Sequence, residues 1–443
     1  MQITLSQHFT IKNLIKLVYP SVIMMVFTSI YGVVDGIFVS NFVGDTAFAA
    51  VNLIMPVIMA YASFGFMIGA GGSALVSKLL GEGKEKEANS VFSLLVYTTV
   101  VLGAIITAVG IFSVRPLAIL FGAEGATLEY CTKYGVVCLS GITLYMLQNV
   151  FQNFFPTAGK HKLGLLVIVV AGVTNAILDA VFLAGLHMGV EGAALASVLG
   201  QVIGGLSPIL YFSIKRDGVL RLGRAKIEIM PVLKTFFNGS SEMLTNLSLS
   251  LVNILYNYQL MQLVGEQGVA AYGVIMYIGF IFISVFLGYS VGAAPVVGYN
   301  YGAGNREELK SVFKKSLIII SVTAVSMYAL AMALNYPLCM VFVGYNKELF
   351  ELTTRGFMLY AFSYLLAGFN IYASSFFTAL NNGLISAAIS FLRTLLFQVV
   401  SVMTMPLLFD ITGVWLANPA AELMSLVLVV IFILTNRRKY GYM

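Results

Sequence analysis

Long apolar runs separated by short polar stretches recur along the whole chain. A membrane-spanning helix needs about 20 predominantly apolar residues, and twelve segments reach roughly this length. They lie at 14–40, 47–79, 90–113, 129–155, 163–185, 190–214, 232–263, 268–298, 311–334, 352–379, 384–409 and 413–435. The pattern predicts an all-α integral membrane protein with twelve transmembrane helices.

The composition supports this fold class. Of the 443 residues, 59% are hydrophobic and only 10% are charged, whereas a soluble domain has about 25% charged residues. The chain is therefore expected to lie in a lipid bilayer. A soluble enzyme and a nucleic-acid-binding protein are excluded. An outer-membrane barrel is excluded as well, because its strands alternate in polarity over about 10 residues.

The distribution of basic residues predicts the orientation. If both termini are cytoplasmic, the inner connections hold 20 of the 25 Lys and Arg residues, and the outer loops hold only Arg115 and Lys347. This is a strong positive-inside bias. The basic stretch 215–234 joins the two halves. A solvated cytoplasmic loop is the favoured interpretation of that stretch, and a surface for lipid or a partner is the alternative.

The chain also contains an internal duplication. Residues 44–87 align with 265–308 at a shift of 221, with 11 identities in 44 positions. Six spans return the chain to its starting side, so the two halves are predicted to be parallel, pseudo-symmetric six-helix lobes. The expected domains are an N-terminal lobe at 12–214, a linker at 215–231 and a C-terminal lobe at 232–436. Such repeats are typical of transporters.

Several ionisable residues lie within the spans, where a charge costs at least about 2.5–3.5 kcal/mol. In the first half, Asp35 and Asp179 both fall near the outer ends of their spans. Asn175 lies one helical turn before Asp179, and Ser197 lies about two turns into the sixth span.

These four residues form a candidate site for a coupling cation or proton. Their oxygen atoms suit Na⁺, and two close carboxylates cannot readily both ionise without a counter-cation or a shared proton. The structural alternative is that Asp35 caps a helix end and that Asp179 bonds to the backbone.

The second half contains a different charge cluster, in which Glu242, Arg393 and Glu422 all fall near the membrane midplane. Arg393 is expected to pair with one of the two acids, because a lone arginine there would be very costly. The other carboxylate would then be available for a proton or a cationic substrate. A purely structural ion pair is an equally good interpretation, and either acid could be the partner.

Pro20 lies in the first span, fifteen residues before Asp35. It removes a backbone hydrogen bond and permits a kink, so this span is a candidate gating helix. A static bend is the alternative. Three cysteines and three histidines show no disulfide, metal or catalytic spacing, so neither a catalytic residue nor a cofactor is predicted.

The chain resembles the multidrug and toxic compound extrusion (MATE) family over roughly 12–436, and most closely its bacterial multidrug-exporter branch. The resemblance is carried by Pro20 with Asp35, by the Gly-x-Gly turns at 81–83 and 302–304, by the Asn175-xxx-Asp179 pair and by Ser197. It implies that Asp35, Asn175, Asp179 and Ser197 form the Na⁺ or H⁺ site and that the first span bends at Pro20.

Two positions depart from the family pattern. Ser197 stands where threonine is commoner, which keeps the oxygen atom. The seventh span reads LSLSLVN at 247–253, where one branch has a deep acid, and Glu242 comes earlier. Coupling is therefore expected through the N-terminal lobe.

The resemblance implies a secondary active exporter in the bacterial plasma membrane. Such an exporter needs no ATP site and no cofactor besides the coupling ion. It would exchange inward Na⁺ or H⁺ for small organic cations or other amphipathic drugs, as a monomer. The alternative from the same superfamily is a flippase for a lipid-linked saccharide, which should hold a pyrophosphate with several basic residues. A membrane enzyme is disfavoured, because no nucleophile-base pair is apparent.

Overall fold

The computed structural model describes residues 5–214 and 218–443, and every regular element in these ranges is helical. Lys215 and Arg216, which belong to the predicted linker, lie outside the described residues. The first half contains seven α-helices: α1 (Ile11–Phe42), α2 (Asp45–Gly81), α3 (Glu85–Leu120), α4 (Gly125–Ser140), α5 (Ile142–Thr157), α6 (His161–Asp179) and α7 (Val190–Ile214).

The second half contains seven more. They are α8 (Ile229–Leu263), α9 (Glu266–Gly302), α10 (Arg306–Val343), α11 (Lys347–Tyr360), α12 (Tyr364–Ala379), α13 (Gly383–Phe391) and α14 (Phe397–Tyr440). A short 3₁₀ turn, Ala361–Ser363, joins α11 to α12.

These helices form the twelve predicted spans. In the described part of the chain, nine helical segments are long and apolar enough to cross a membrane, and the bent pair α4–α5 makes a tenth. One of the nine, Gly383–Tyr440, is 58 residues long and contains two spans. The remaining span is α8, which is less apolar because it carries residues such as Asn238, Glu242 and Asn253. The predicted fold class is confirmed.

The last two spans are separated by a tight reversal inside α14. Phe409 and Asp410 have non-helical dihedral angles, with φ of 49° at Asp410. Beyond this turn, Gly413 packs directly against the backbone of Met405 and Pro406, and a Cβ there would lie 2.7 Å from the nitrogen of Pro406. Glycine is therefore needed for the close approach of the two spans.

Three distortions of the spans occur where there is no proline. Helices α1, α2, α7 and α9 run without a break through Pro20, Pro56, Pro208 and Pro295. The fourth span instead bends by 55° at Gly141. Two π-helical segments, Ala180–Gly185 and Leu392–Leu396, interrupt the fifth and eleventh spans.

The two lobes meet through two equivalent helix crossings, α2 with α8 and α9 with α1. At the first, a Cβ on Gly71 would lie 2.7 Å from the nitrogen of Gly239. At the second, a Cβ on Gly292 would lie 3.1 Å from the Cβ atoms of Val18 and Ser21. A shift of 221 residues relates Gly71 to Gly292 and Val18 to Gly239, so the crossings reproduce the internal duplication.

The two ends of the described chain lie at the same end of the bundle. The backbone nitrogen of Phe9 donates to Glu308 at 2.9 Å, and the rings of Tyr301 and Tyr440 lie 5.6 Å apart. We call the end of the bundle that holds Phe9, Glu308, Tyr301 and Tyr440 the terminal face. Its cytoplasmic orientation and the lobe boundaries at 214, 231 and 436 stay predictions.

The lobes also touch beside the terminal face. Gly81 packs against the backbone of Tyr299, and Gly302 packs against the backbone of Lys78. Asn381 donates to the carbonyl oxygen of Ala74 at 3.2 Å. Small residues allow helix backbones to approach this closely in membranes. The lobes are therefore packed together in the halves of the helices nearest the terminal face.

Gly71→Val should destabilise this packing. The added side chain would meet the α8 backbone at Thr235 and Gly239, and overpacking of this kind typically costs about 1–3 kcal/mol. The thermal unfolding midpoint of the purified protein in detergent should fall. Gly273→Val is the matched control, because a Cβ at Gly273 has no neighbour within 4 Å. Equal midpoints for the two variants would contradict the close packing.

Candidate functional site

The structure brings together the four residues of the predicted N-terminal site. Asp35 from α1 lies within interaction range of Asn175 and Asp179 from α6 and of Ser197 from α7. The Nδ2 atom of Asn175 donates to the Oγ atom of Ser197 at 3.4 Å. Three spans thus supply one polar cluster inside an apolar lobe.

The carboxylates of this cluster are buried but poorly satisfied. Asp179 is fully buried and Asp35 is 9% exposed. Oδ1 of Asp35 and both carboxylate oxygens of Asp179 are buried and have no hydrogen-bond donor among the described residues. A buried acceptor without a partner costs free energy, and a buried charge costs more. The cluster can therefore accept a proton or a cation that the protein itself does not provide.

Asp179 stands at the last residue of α6, where the helix changes to the π-helical segment Ala180–Gly185. Such segments occur frequently at functional sites. No sequence signal marks this one. Tyr31 is also close enough to Asp35 to interact with it, and its position one turn earlier on α1 could have identified it.

In the second half, Arg393 pairs with Glu422. Its Nη2 atom lies 2.7 Å from Oε1 of Glu422, and its Nε atom donates to the same carboxylate at 3.0 Å. Asn370 from α12 adds a donor at 2.6 Å to Oε2 of Glu422. This neutral, buried network joins α12, the π-helical segment Leu392–Leu396 and α14. Asn370 was not identified from the sequence, because no acidic or basic residue lies one helical turn from it.

Glu242 lies apart from this ion pair. It is half-buried on α8 and has no ion pair among the residues that the structure describes. It remains close enough to interact electrostatically with Arg393. Of the two acids in the predicted charge cluster, Glu422 is therefore the ion-pair partner of Arg393, and Glu242 forms no ion pair in the described structure.

Pro20 is buried within a continuous α1. The next residue, Ser21, is hydrogen-bonded to Nδ1 of His161 at the start of α6, at 3.0 Å. Further along α1, the ring of Phe27 lies against Gly172. The segment of α1 between Pro20 and Asp35 is therefore held on α6, the helix that carries Asp179. The gating role of Pro20 stays a prediction.

The arrangement of these spans agrees with comparisons to known proteins. The family model MatE matches residues 20–181 and matches a second time at 242–404. The chain belongs to the MatE family. The predicted membership is confirmed, and the two matches to one model confirm the internal duplication of this MatE protein.

Relatives of this MatE chain include two staphylococcal proteins. "Multidrug export protein MepA" of Staphylococcus haemolyticus is 26% identical over 304 residues, which are 68% of this chain and 67% of that protein. The protein of the same name in Staphylococcus saprophyticus is 25% identical over 329 residues, covering 73% and 71%.

A solved structure described as the outward-facing conformation of a multidrug resistance MATE family transporter has the same fold. It superposes with a TM-score of 0.93 at 23% identity, over 99% of this chain and 98% of its own.

Glu422→Gln should destabilise the protein, because it leaves the Arg393 charge without its partner. Breaking a buried pair costs up to about 3–5 kcal/mol. The thermal unfolding midpoint in detergent should fall clearly, whereas Glu242→Gln should leave it almost unchanged. Arg393→Gln combined with Glu422→Gln should recover part of the loss. A double variant no more stable than Glu422→Gln would contradict a charge-pair role.

Proposed function

We propose that this MatE protein is a secondary active multidrug exporter. It exchanges inward Na⁺ or H⁺ for organic, mostly cationic compounds, as a monomer in the bacterial plasma membrane with both termini in the cytoplasm. The names of the staphylococcal relatives support multidrug export, and the positive-inside bias supports the orientation.

The observation that carries the coupling proposal is the set of unsatisfied oxygens on Asp35 and Asp179. A proton shared between the two carboxyl groups would remove their repulsion and supply a donor. A sodium ion would be held by the carboxylates with the side-chain oxygens of Asn175 and Ser197, since hard cations prefer oxygen ligands. Binding of either ion stabilises the conformation in which these four residues lie together, which is unfavourable while the site is empty.

The proposed substrate charge is recognised by Glu242. This half-buried carboxylate lacks an ion pair in the described structure, while Arg393 is already occupied by Glu422. An organic cation can offset the charge of Glu242. A pyrophosphate-carrying lipid would instead need free basic residues, which argues against the flippase alternative.

The packed lobes fit an alternating-access cycle. They touch in the halves nearest the terminal face, the side that we propose to be cytoplasmic. The structure then corresponds to an exporter that is open toward the outside, where the coupling ion enters and the drug leaves. Ion binding at Asp35 and drug binding are linked because each changes the relative stability of the two conformations.

The first test is dye efflux from proteoliposomes under separately imposed Na⁺ and pH gradients. Wild-type protein should drive efflux with one of the two gradients, and Asp35→Asn should reduce that gradient-driven efflux about tenfold or more because the coupling site is lost. Asp410→Asn is the matched control. Asp410 is exposed at the turn in α14, and asparagine tolerates its positive φ, so efflux should be unchanged.

Undiminished coupled efflux by Asp35→Asn would contradict the coupling role of this carboxyl. If neither gradient drives efflux of any cationic dye by the wild type, the exporter proposal itself fails.

A second variant tests the substrate charge. Glu242→Gln should reduce the efflux of a cationic dye about tenfold, since it removes the offsetting carboxylate. A neutral amphipathic dye should be exported at the wild-type rate. An equal loss for both dyes would assign Glu242 to the conformational cycle and would contradict its role in charge recognition.

A further inference from the structure

The residues that directly precede α1 are attached to the second lobe. We call residues 5–10 the leading segment. Glu308, near the start of α10, accepts a hydrogen bond from the backbone nitrogen of Phe9 at 2.9 Å, and Nδ1 of His8 lies 2.6 Å from its other carboxylate oxygen. About two turns further along α10, the Nζ atom of Lys315 donates to the carbonyl oxygen of Phe9. Polar contacts thus hold both sides of one peptide segment on α10.

Apolar contacts extend this attachment. Phe9 is fully buried, in the same apolar cluster as Leu309 and Phe313 of α10. Leu14 and Val18 of α1 are buried in that cluster as well. About the first two turns of α1 therefore share a hydrophobic core with the second lobe, although α1 belongs to the first lobe by its place in the chain.

The residues before α8 are attached to the first lobe in an equivalent way. Residues 218–228 lie beside α3, where Asn89 accepts a hydrogen bond from the backbone nitrogen of Arg221 at 2.5 Å. Helices α3 and α10 begin at Glu85 and Arg306, which are related by the shift of 221 residues that describes the duplication. The first helix of each half is thus preceded by a segment that is attached to the opposite lobe.

Glu308 depends on the leading segment for its partners. Its side chain is only 7% exposed, and both of its oxygens contact nitrogen atoms of His8 and Phe9. These contacts join residues about 300 positions apart in the chain. A carboxylate that loses its donors while it is still buried costs free energy. Release of the leading segment is therefore favourable only when Glu308 becomes hydrated at the same time, as it would if the terminal face opened to water.

We propose that the leading segment is a latch that holds the two lobes together at the terminal face. Helix α1 is continuous, and beyond the shared core its Phe27 packs against Gly172 of α6 in the first lobe. With the leading segment docked on α10, one helix is thus fixed to both lobes. Undocking removes this connection and allows the lobes to separate at the terminal face. The latch rests on the proposed alternating-access exporter and adds the element that controls opening on this side.

The test is a distance measurement between spin labels at Lys86→Cys on α3 and Lys310→Cys on α10. The protein is reconstituted in nanodiscs, with its three native cysteines replaced by alanine. Both positions are exposed, and Lys310 lies about 200° around α10 from Glu308. Glu308→Ala removes both acceptors, so the ratio of long to short distances should rise about tenfold. Glu307→Ala is the matched control, because it removes the exposed acid next to Glu308 and should keep the original ratio.

A second variant leaves α10 intact. His8→Ala combined with Phe9→Ala changes only the leading segment and should raise the same ratio by a similar factor. Adding Glu308→Ala to it should have little further effect, because the changes act on one contact. Unchanged distances in both the Glu308→Ala variant and the His8 and Phe9 variant would overturn the latch. An equal shift in Glu307→Ala would overturn it too, because the effect would then follow acidic charge in general.

Dye efflux by the same labelled proteins separates the latch from the exporter proposal. If a gradient drives efflux but Glu308→Ala leaves the distances unchanged, the latch is wrong and the exporter proposal stands. If no gradient drives efflux but Glu308→Ala still lengthens the distance, the exporter proposal fails, and the control of lobe separation by the leading segment is supported.

Discussion

The cost of holding ionised groups among apolar helices is the constraint on which both lobes depend. At Glu422 in the C-terminal lobe the chain satisfies it internally, because this carboxylate receives donors from Arg393 and Asn370. In the N-terminal lobe it does not, because Asp35 and Asp179 keep oxygens without donors. One lobe therefore contains an internal ion pair, and the other contains the site that we propose to bind an external proton or cation.

The duplicated scaffold explains how two such different polar sets can coexist. Helix association in a bilayer depends on close van der Waals packing rather than on the hydrophobic effect. The glycines that permit this packing recur in both halves, as Gly71 and Gly292 or Gly81 and Gly302. Asp35 and Arg393 have no such counterparts. Backbone packing is thus symmetric, whereas the electrostatics of the two lobes differ.

The sequence was sufficient to predict the spans, the duplication and the residues of the N-terminal cluster, since apolar length, repeat spacing and helical periodicity can be read directly from the order of residues. It could not choose the partner of Arg393, because Glu242 and Glu422 lie at similar predicted depths and only packing distinguishes them. The π-helical segments beside Asp179 and at Arg393 were also missed. They depend on tertiary contacts, and neither contains a proline.

Residues 218–228 connect the two lobes, and hydrogen bonds hold this inter-lobe segment on α3 of the first lobe. Its last hydrogen bond to α3 joins the nitrogen of Lys226 to Ser90 at 3.0 Å, and α8 begins at Ile229. Only three residue steps remain, and they extend to at most about 11 Å. The free part of the connection is therefore very short. While it stays docked, the start of α8 can swing about this point on the first lobe but cannot move far from it.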